Sequence, residues 1–234
     1  MILLPVQQNS EEWRDFRRGK IGGTASNTIH PPKTGKNKED ITATATFWRL
    51  LGERISVGKD AEPETDRGHR LEPIGVEKTN NLYKLDLVWG TEEHPEFPGV
   101  WVSDINDKIY VSPDAAERGD KPTYAAEVKA FDTGKHLQII YKDRIAKKLD
   151  GYNPINSIPV ENHGQLADYF VVNEHLKIVY WTLVNDMVAY ENLEHYVIEV
   201  RREDIAEQID ILSRNQSIAL ISMQQIIERL IDNK

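Results

Sequence analysis

Tyr124-Ala125-Ala126-Glu127-Val128-Lys129-Ala130-Phe131, preceded by Val111-Ser112-Pro113-Asp114, is the stretch on which the reading of this chain turns. Aromatic and β-branched residues predict a strand over Tyr124 to Phe131. Side chains alternate along a strand, so Glu127 and Lys129, two apart, point to the same face. The flanking Tyr124-Ala125-Ala126 and Ala130-Phe131 make this a mostly buried strand, where unpaired charges are costly. Asp114 falls at the end of the strand before it. The pattern therefore gathers two carboxylates and one ammonium. An E-x-K triplet alone says little, because alternating charge on an exposed strand produces it constantly; preceded by S-P-D at strand spacing, it gains weight. Oxygen ligands of this kind suit a hard cation such as Mg2+, with Mn2+ as a substitute, held by few carboxylates plus water and phosphate. Lys129 is then placed to orient or deprotonate an attacking water.

Outward from this stretch, Leu85 to Trp89, Val100 to Ile105 and Ile109 to Val111 also read as strands, separated by Gly, Pro, Asn and Asp. A helix is predicted around Asn162 to Val172, then strands at Ile178 to Leu183 and Tyr196 to Val200. From Glu203 onward Ile205, Ile209, Leu212, Leu220, Met223, Ile227 and Leu230 mark a long amphipathic helix, interrupted near Asn215. Before the sheet the chain reads helical, with Ser10 capping a turn at Glu11 and Glu12, and Phe47, Leu50 and Leu51 forming an apolar stripe. The linker-like stretches, Pro31 to Lys38 and Gly58 to Glu64, are short, and no fixed-period repeat is present. The expectation is one domain over residues 1–234, of mixed α/β (α+β) class, with a central mixed sheet flanked by helices.

Composition supports a globular chain: 39% of its 234 residues are hydrophobic and 29% charged. With no cysteine there is no disulfide framework and no thiolate metal site. No apolar run reaches a membrane-spanning length, and Met1-Ile2-Leu3-Leu4-Pro5 lacks the pattern of a signal peptide, so a cytoplasmic location without membrane association is expected. A net charge of -9 argues against a uniformly basic surface. Between Trp13 and Lys38, however, seven basic residues face the single acid Asp15. Such segregation suits a local phosphate-binding face, although a charge run is usually just a solvated face.

The segment Trp13-Arg14-Asp15-Phe16-Arg17-Arg18-Gly19-Lys20-Ile21-Gly22-Gly23-Thr24-Ala25-Ser26 opens a series of ordered motifs. It continues through Gly68-His69-Arg70-Leu71-Glu72, the S-P-D and E-V-K pair, Gln165 in a following helix, and His195-Tyr196-Val197-Ile198-Glu199-Val200 before the last helix. Together these resemble the lambda exonuclease and YqaJ-like viral recombinase family of PD-(D/E)-x-K nucleases, over nearly the whole chain. The resemblance implies a restriction-endonuclease-like core and a 5′-to-3′ exonuclease acting on linear double-stranded DNA. It further implies a single-strand annealing protein as partner and a ring-shaped homotrimer. By the same resemblance Asp114, Glu127 and the Val128 carbonyl bind metal, Lys129 assists the nucleophile, Glu72 is a further acid and Gln165 arranges the water or second ligand shell. Arg17, Thr24 and Ser112 match positions that hold a terminal 5′-phosphate. Thr24 stands where serine is common, and Arg18 replaces Arg17 if the helix register differs. Read without the resemblance, Glu72 is a surface charge beside Arg70 or Lys78, and Gln165 a buried helix amide.

Competing classes are thinly supported. The chain carries no P-loop and no HExxH pair, and His69, His136, His163, His175 and His195 show no ligand spacing. A sequence-specific endonuclease with the same centre and a catalytically silent DNA-end-binding factor remain as alternatives.

Overall fold

The computed structural model describes residues 43–56, 64–91, 98–106 and 109–232. Among them are six α-helices and six β-strands: α1 (Ala45–Ile55), α2 (Glu64–Tyr83), β1 (Trp101–Val102), β2 (Tyr110–Val111), β3 (Ala115–Ala116), β4 (Tyr124–Lys129), α3 (Thr133–Ala146), α4 (His163–Val172), β5 (Ile178–Val184), α5 (Glu191–Glu194), β6 (His195–Arg201) and α6 (Ala206–Asp232). The main sheet runs β3-β4-β5-β6, and β1 pairs with β2 in a separate ribbon. This is the mixed α/β architecture expected. No described helix is long and apolar enough to cross a membrane.

The described chain divides into two compact units. The first combines Met1–Leu71, Ala130–Lys142 and Leu183–Tyr196; the second combines Glu72–Lys129, Asp143–Thr182 and Val197–Lys234. In the first, α1 is capped by the Thr44 hydroxyl, which accepts from the Phe47 N–H. It approaches the start of α3 through two glycines: a Cβ on Gly134 would lie 2.8 Å from the Trp48 carbonyl oxygen, and one on Gly52 only 2.7 Å from the Gly134 nitrogen. Trp48 then packs against Tyr141, ring centroids 5.2 Å apart.

In the second unit β4 is the centre. Ala125, Ala126, Glu127 and Val128 are all buried, as the apolar flanks predicted. β3 pairs antiparallel with it, Ala115 opposite Ala126 and Ala116 opposite Ala125. A Cβ on Gly75 would lie 2.7 Å from the Val128 side chain, so glycine is what lets α2 approach β4. The Thr79 hydroxyl meets Thr182 at 2.9 Å from the same helix, pairing two buried polar groups.

Several expectations shift. Leu85 to Trp89 forms no strand, only one bridge between Val88 and Ala116. Lys84, at φ +58°, ends α2 in the left-handed region, and the Asn80 side chain then takes up both backbone groups of Leu87 at 2.9 and 3.0 Å. An amide side chain supplies what a neighbouring strand would have supplied. Val100 to Ile105 shortens to β1, while α6 runs without interruption through Asn215. β3, built from two alanines of low strand propensity, was not foreseen. Nor was α3, although the Asp132 carboxylate accepts from the Lys135 N–H as a helix-capping group does.

Candidate active site

Within the second unit, α2 carries Glu72, the turn after β2 carries Ser112 and Asp114, β4 carries Glu127, Val128 and Lys129, and α4 carries Gln165. Glu127 is 2% exposed and its carboxylate is fully engaged. Oε1 accepts from Lys129 Nζ at 2.5 Å and from Gln165 Nε2 at 2.8 Å. Oε2 accepts from the Tyr169 hydroxyl. Asp114 accepts the Val128 N–H at 2.7 Å, which pins this carboxylate to the strand beside Glu127.

The electrostatics are unbalanced. Burial and the adjacent Glu127 charge push the Asp114 carboxyl up to about 7, the Val128 hydrogen bond opposing them and Glu72 adding to the rise. Lys129 offsets only part of this. Tyr169 is held protonated, well above its ordinary value, by burial and by the charges of Glu127 and Asp114, so its hydroxyl stays a donor. Excess negative charge on hard oxygen donors, half-buried and countered by one adjacent ammonium, is a donor set that a small divalent cation fits. Among the described residues no three His, Asp or Glu side chains gather closely enough to hold a metal alone. Two carboxylates with water and a bound phosphate are the arrangement usual for Mg2+.

The sequence could not place Tyr169, although a signal existed. Gln165 and Tyr169 are separated by one helical turn, so they share a face of α4. Both reach Glu127, and the Tyr169 hydroxyl also contacts the Ser112 carbonyl at 3.3 Å. Gln165 is exposed apart from that contact, not the buried amide considered as its alternative reading. Ser112 is exposed, and Arg70 pairs with Asp186 at 2.9 Å. Arg17, Arg18 and Thr24 lie outside the described residues, as does the Ser10 cap.

No protein-family model matches the chain, and no curated protein matches it significantly. Among solved structures it is similar to an alkaline exonuclease, LHK-Exo, from Laribacter hongkongensis, with a TM-score of 0.52 and 14% identity over 96% of this chain and 99% of that one. The chain shares the fold of that protein. The same enzyme in complex with dAMP aligns at a TM-score of 0.49 and 15% identity, covering 96% and 100% of the two chains. A phage-related exonuclease from Haemophilus somnus aligns at 0.39 and 14%, covering 86% and 94%. On this fold, the polar groups that converge in the second unit are those of β4, the turn before β3, and one face of α4.

Proposed function

We propose that the protein is a divalent-metal-dependent nuclease that digests linear duplex DNA from its end, acting 5′ to 3′ and leaving a 3′ single strand. The observation that carries this reading is the Asp114–Glu127–Lys129 cluster, with one carboxyl held at about 7 beside a second that is 2% exposed. A structural ion pair would have no use for the surplus acid. Asp114, Glu127 and the Val128 carbonyl would hold Mg2+. When bound, the ion would polarise the scissile phosphate and lower the pKa of a coordinated water.

The protein's own groups do the rest. Tyr169 and Gln165 fix the Glu127 carboxylate in one orientation, so it need not reorganise when substrate arrives. Lys129, still 24% exposed at its side chain, would orient the attacking water, or as the neutral amine take its proton. Glu72 adds negative charge felt at Asp114. Arg17 or Arg18, with Thr24 and Ser112, would take the terminal 5′-phosphate, since a guanidinium fork and hydroxyls match its oxygens. The product strand would pass to a single-strand annealing protein in the cytoplasm. A closed homotrimeric ring would compensate for the weak DNA attraction of a chain with net charge -9.

The test is incubation with linear duplexes bearing 5′-phosphate or 5′-hydroxyl ends, with and without Mg2+, beside a covalently closed circle. Mononucleotide release from the phosphorylated linear substrate, only with Mg2+, is expected. Cutting of the closed circle would instead establish an endonuclease.

A further inference from the structure

The β1–β2 ribbon has two unlike faces. Strand alternation and the pairing of Trp101 with Val111 and Val102 with Tyr110 put Trp101 and Val111 on the inner face. Val111 is buried, and the Trp101 ring meets Tyr169 edge-on, 6.3 Å between centroids. The outer face carries Val102 and Tyr110 side by side, with Val100 in phase beyond them. Tyr110 is 64% exposed and Ile105, near the tip, 92%. A solvent-facing ribbon surface ordinarily carries polar groups, so an apolar and aromatic one marks a contact.

Three observations say what makes that contact. Tyr110 precedes Asp114 by four residues, so it lies within about 14 Å of that carboxylate along the chain, the length of about four stacked nucleotides of one strand. The ribbon is also tied to the acidic centre from behind, because Trp101 packs on the same Tyr169 that holds Glu127. Finally, a chain of net charge -9 gains little from phosphate attraction, whereas stacking on a nucleobase requires only a flat apolar or aromatic surface.

We infer that the outer face of the β1–β2 ribbon, formed by Val102 and Tyr110 with the exposed Ile105 in the turn beyond them, is a nucleobase-stacking surface for the DNA strand whose backbone lies at Asp114 and Glu127. This rests on the nuclease reading and adds to it a sequence-tolerant contact to bases within a few nucleotides of the reacting phosphate. Tyr110 is thereby a substrate-positioning residue.

The experiment uses the full chain with Ca2+ replacing Mg2+, and a linear duplex carrying 2-aminopurine within four nucleotides of its end and a dye at the far end. The wild type should bind, read by dye anisotropy, and change the 2-aminopurine emission. Tyr110→Ser should weaken binding by roughly 10-fold and abolish that change, while Tyr110→Phe preserves both. Ile105→Ser, at a still more exposed site, should weaken binding less and leaves the comparison intact if Tyr110→Ser folds poorly. Affinity and emission unaltered in both serine variants would overturn the proposal, as would failure of the wild type to bind. A change of mass by light scattering in Tyr110→Ser at wild-type affinity would overturn it in favour of a contact between copies. Asp114→Asn separates the two readings, since it should retain the emission change while losing cleavage in Mg2+; cleavage by Asp114→Asn would refute the assignment of Asp114 to the metal centre, and absence of cleavage by the wild type would refute the nuclease reading, each leaving the stacking result to stand on the fluorescence.

Discussion

Each unit buries a polar cluster, and the two are organised on opposite principles. In the first, Arg67, 3% exposed, donates to the Asn185 side chain at 2.7 Å, the Phe131 carbonyl at 3.2 Å and Asp186 at 3.4 Å. Asn185 in turn donates to the Phe131 carbonyl, and its oxygen accepts the Met187 N–H. Every charge there has an opposite or a dipole facing it. In the second unit the hydrogen bonds are as complete, yet the charges do not balance: Asp114 is pushed up to about 7 because burial and then the Glu127 charge disfavour its ionised form. A satisfied buried network holds structure, whereas a network short of positive charge is prepared for a cation or an anionic substrate that brings one. His136 is the intermediate case. Its Nε2 donates to the Leu193 carbonyl at 2.6 Å, its Nδ1 has no partner, and burial lowers the ring to about 4.

The contrast predicts different failures. The largest effect belongs to the unbalanced cluster: Lys129→Ala or Asp114→Ala should lower DNA digestion by roughly 100-fold or more while the circular dichroism spectrum and melting temperature stay near wild type. A well-folded Lys129→Ala protein that still digests DNA substantially would remove the chemical half of the comparison.

For the balanced cluster the cost should appear in stability. Arg67→Ala removes the charged donor shared by the Asn185 side chain, the Phe131 carbonyl and Asp186 and leaves a cavity in its place, and urea denaturation should show a loss of about 3 kcal/mol. An unchanged midpoint would mean that this network contributes no net stability.

His136 sharpens the comparison through pH. Its folded value lies below its ordinary 6.5, so the unfolded chain binds the extra proton. The stability this neutral ring contributes is complete above about 6.5 and is lost as pH falls toward about 4, by roughly 3 kcal/mol over that window. In His136→Gln the decline across this range should be shallower, as read from melting temperatures at successive pH values.

The smallest effect has the opposite sign. Asp114 is raised in the fold, so the stability linked to it is present below its ordinary 3.8 and is lost as pH rises through about 7. In EDTA at pH 8, Asp114→Asn should therefore melt a few degrees above wild type, and added Mg2+ should stabilise the wild type but not the variant. A lower melting temperature for the variant would show that Asp114 is compensated after all.

How much of this was legible in the chain depends on whether the cause was local. β4 could be read because strand propensity, buried flanks and alternation all act within Tyr124 to Phe131, and that alternation alone placed Glu127 with Lys129. α4, β5 and β6 were readable on the same local grounds, within a residue or two of their ends. The S-P-D at strand spacing added Asp114, and the resemblance of ordered motifs added Glu72 and Gln165 as partners. The region from Leu85 to Ile105 was not readable, because strand-forming residues become strands only where another backbone is available to pair. Here the Asn80 side chain occupies Leu87 first. The same holds for chemistry. Sequence named the acids, but the rise of Asp114 to about 7 comes from burial and from Glu127, 13 positions away in sequence. Tyr169 likewise acquires its role only when α4 packs against β4 and brings its hydroxyl to Glu127. Residue type and spacing determined which groups lie on the strand, while tertiary packing set their charge and partners, because solvation and Coulomb interactions depend on distance in space rather than along the chain.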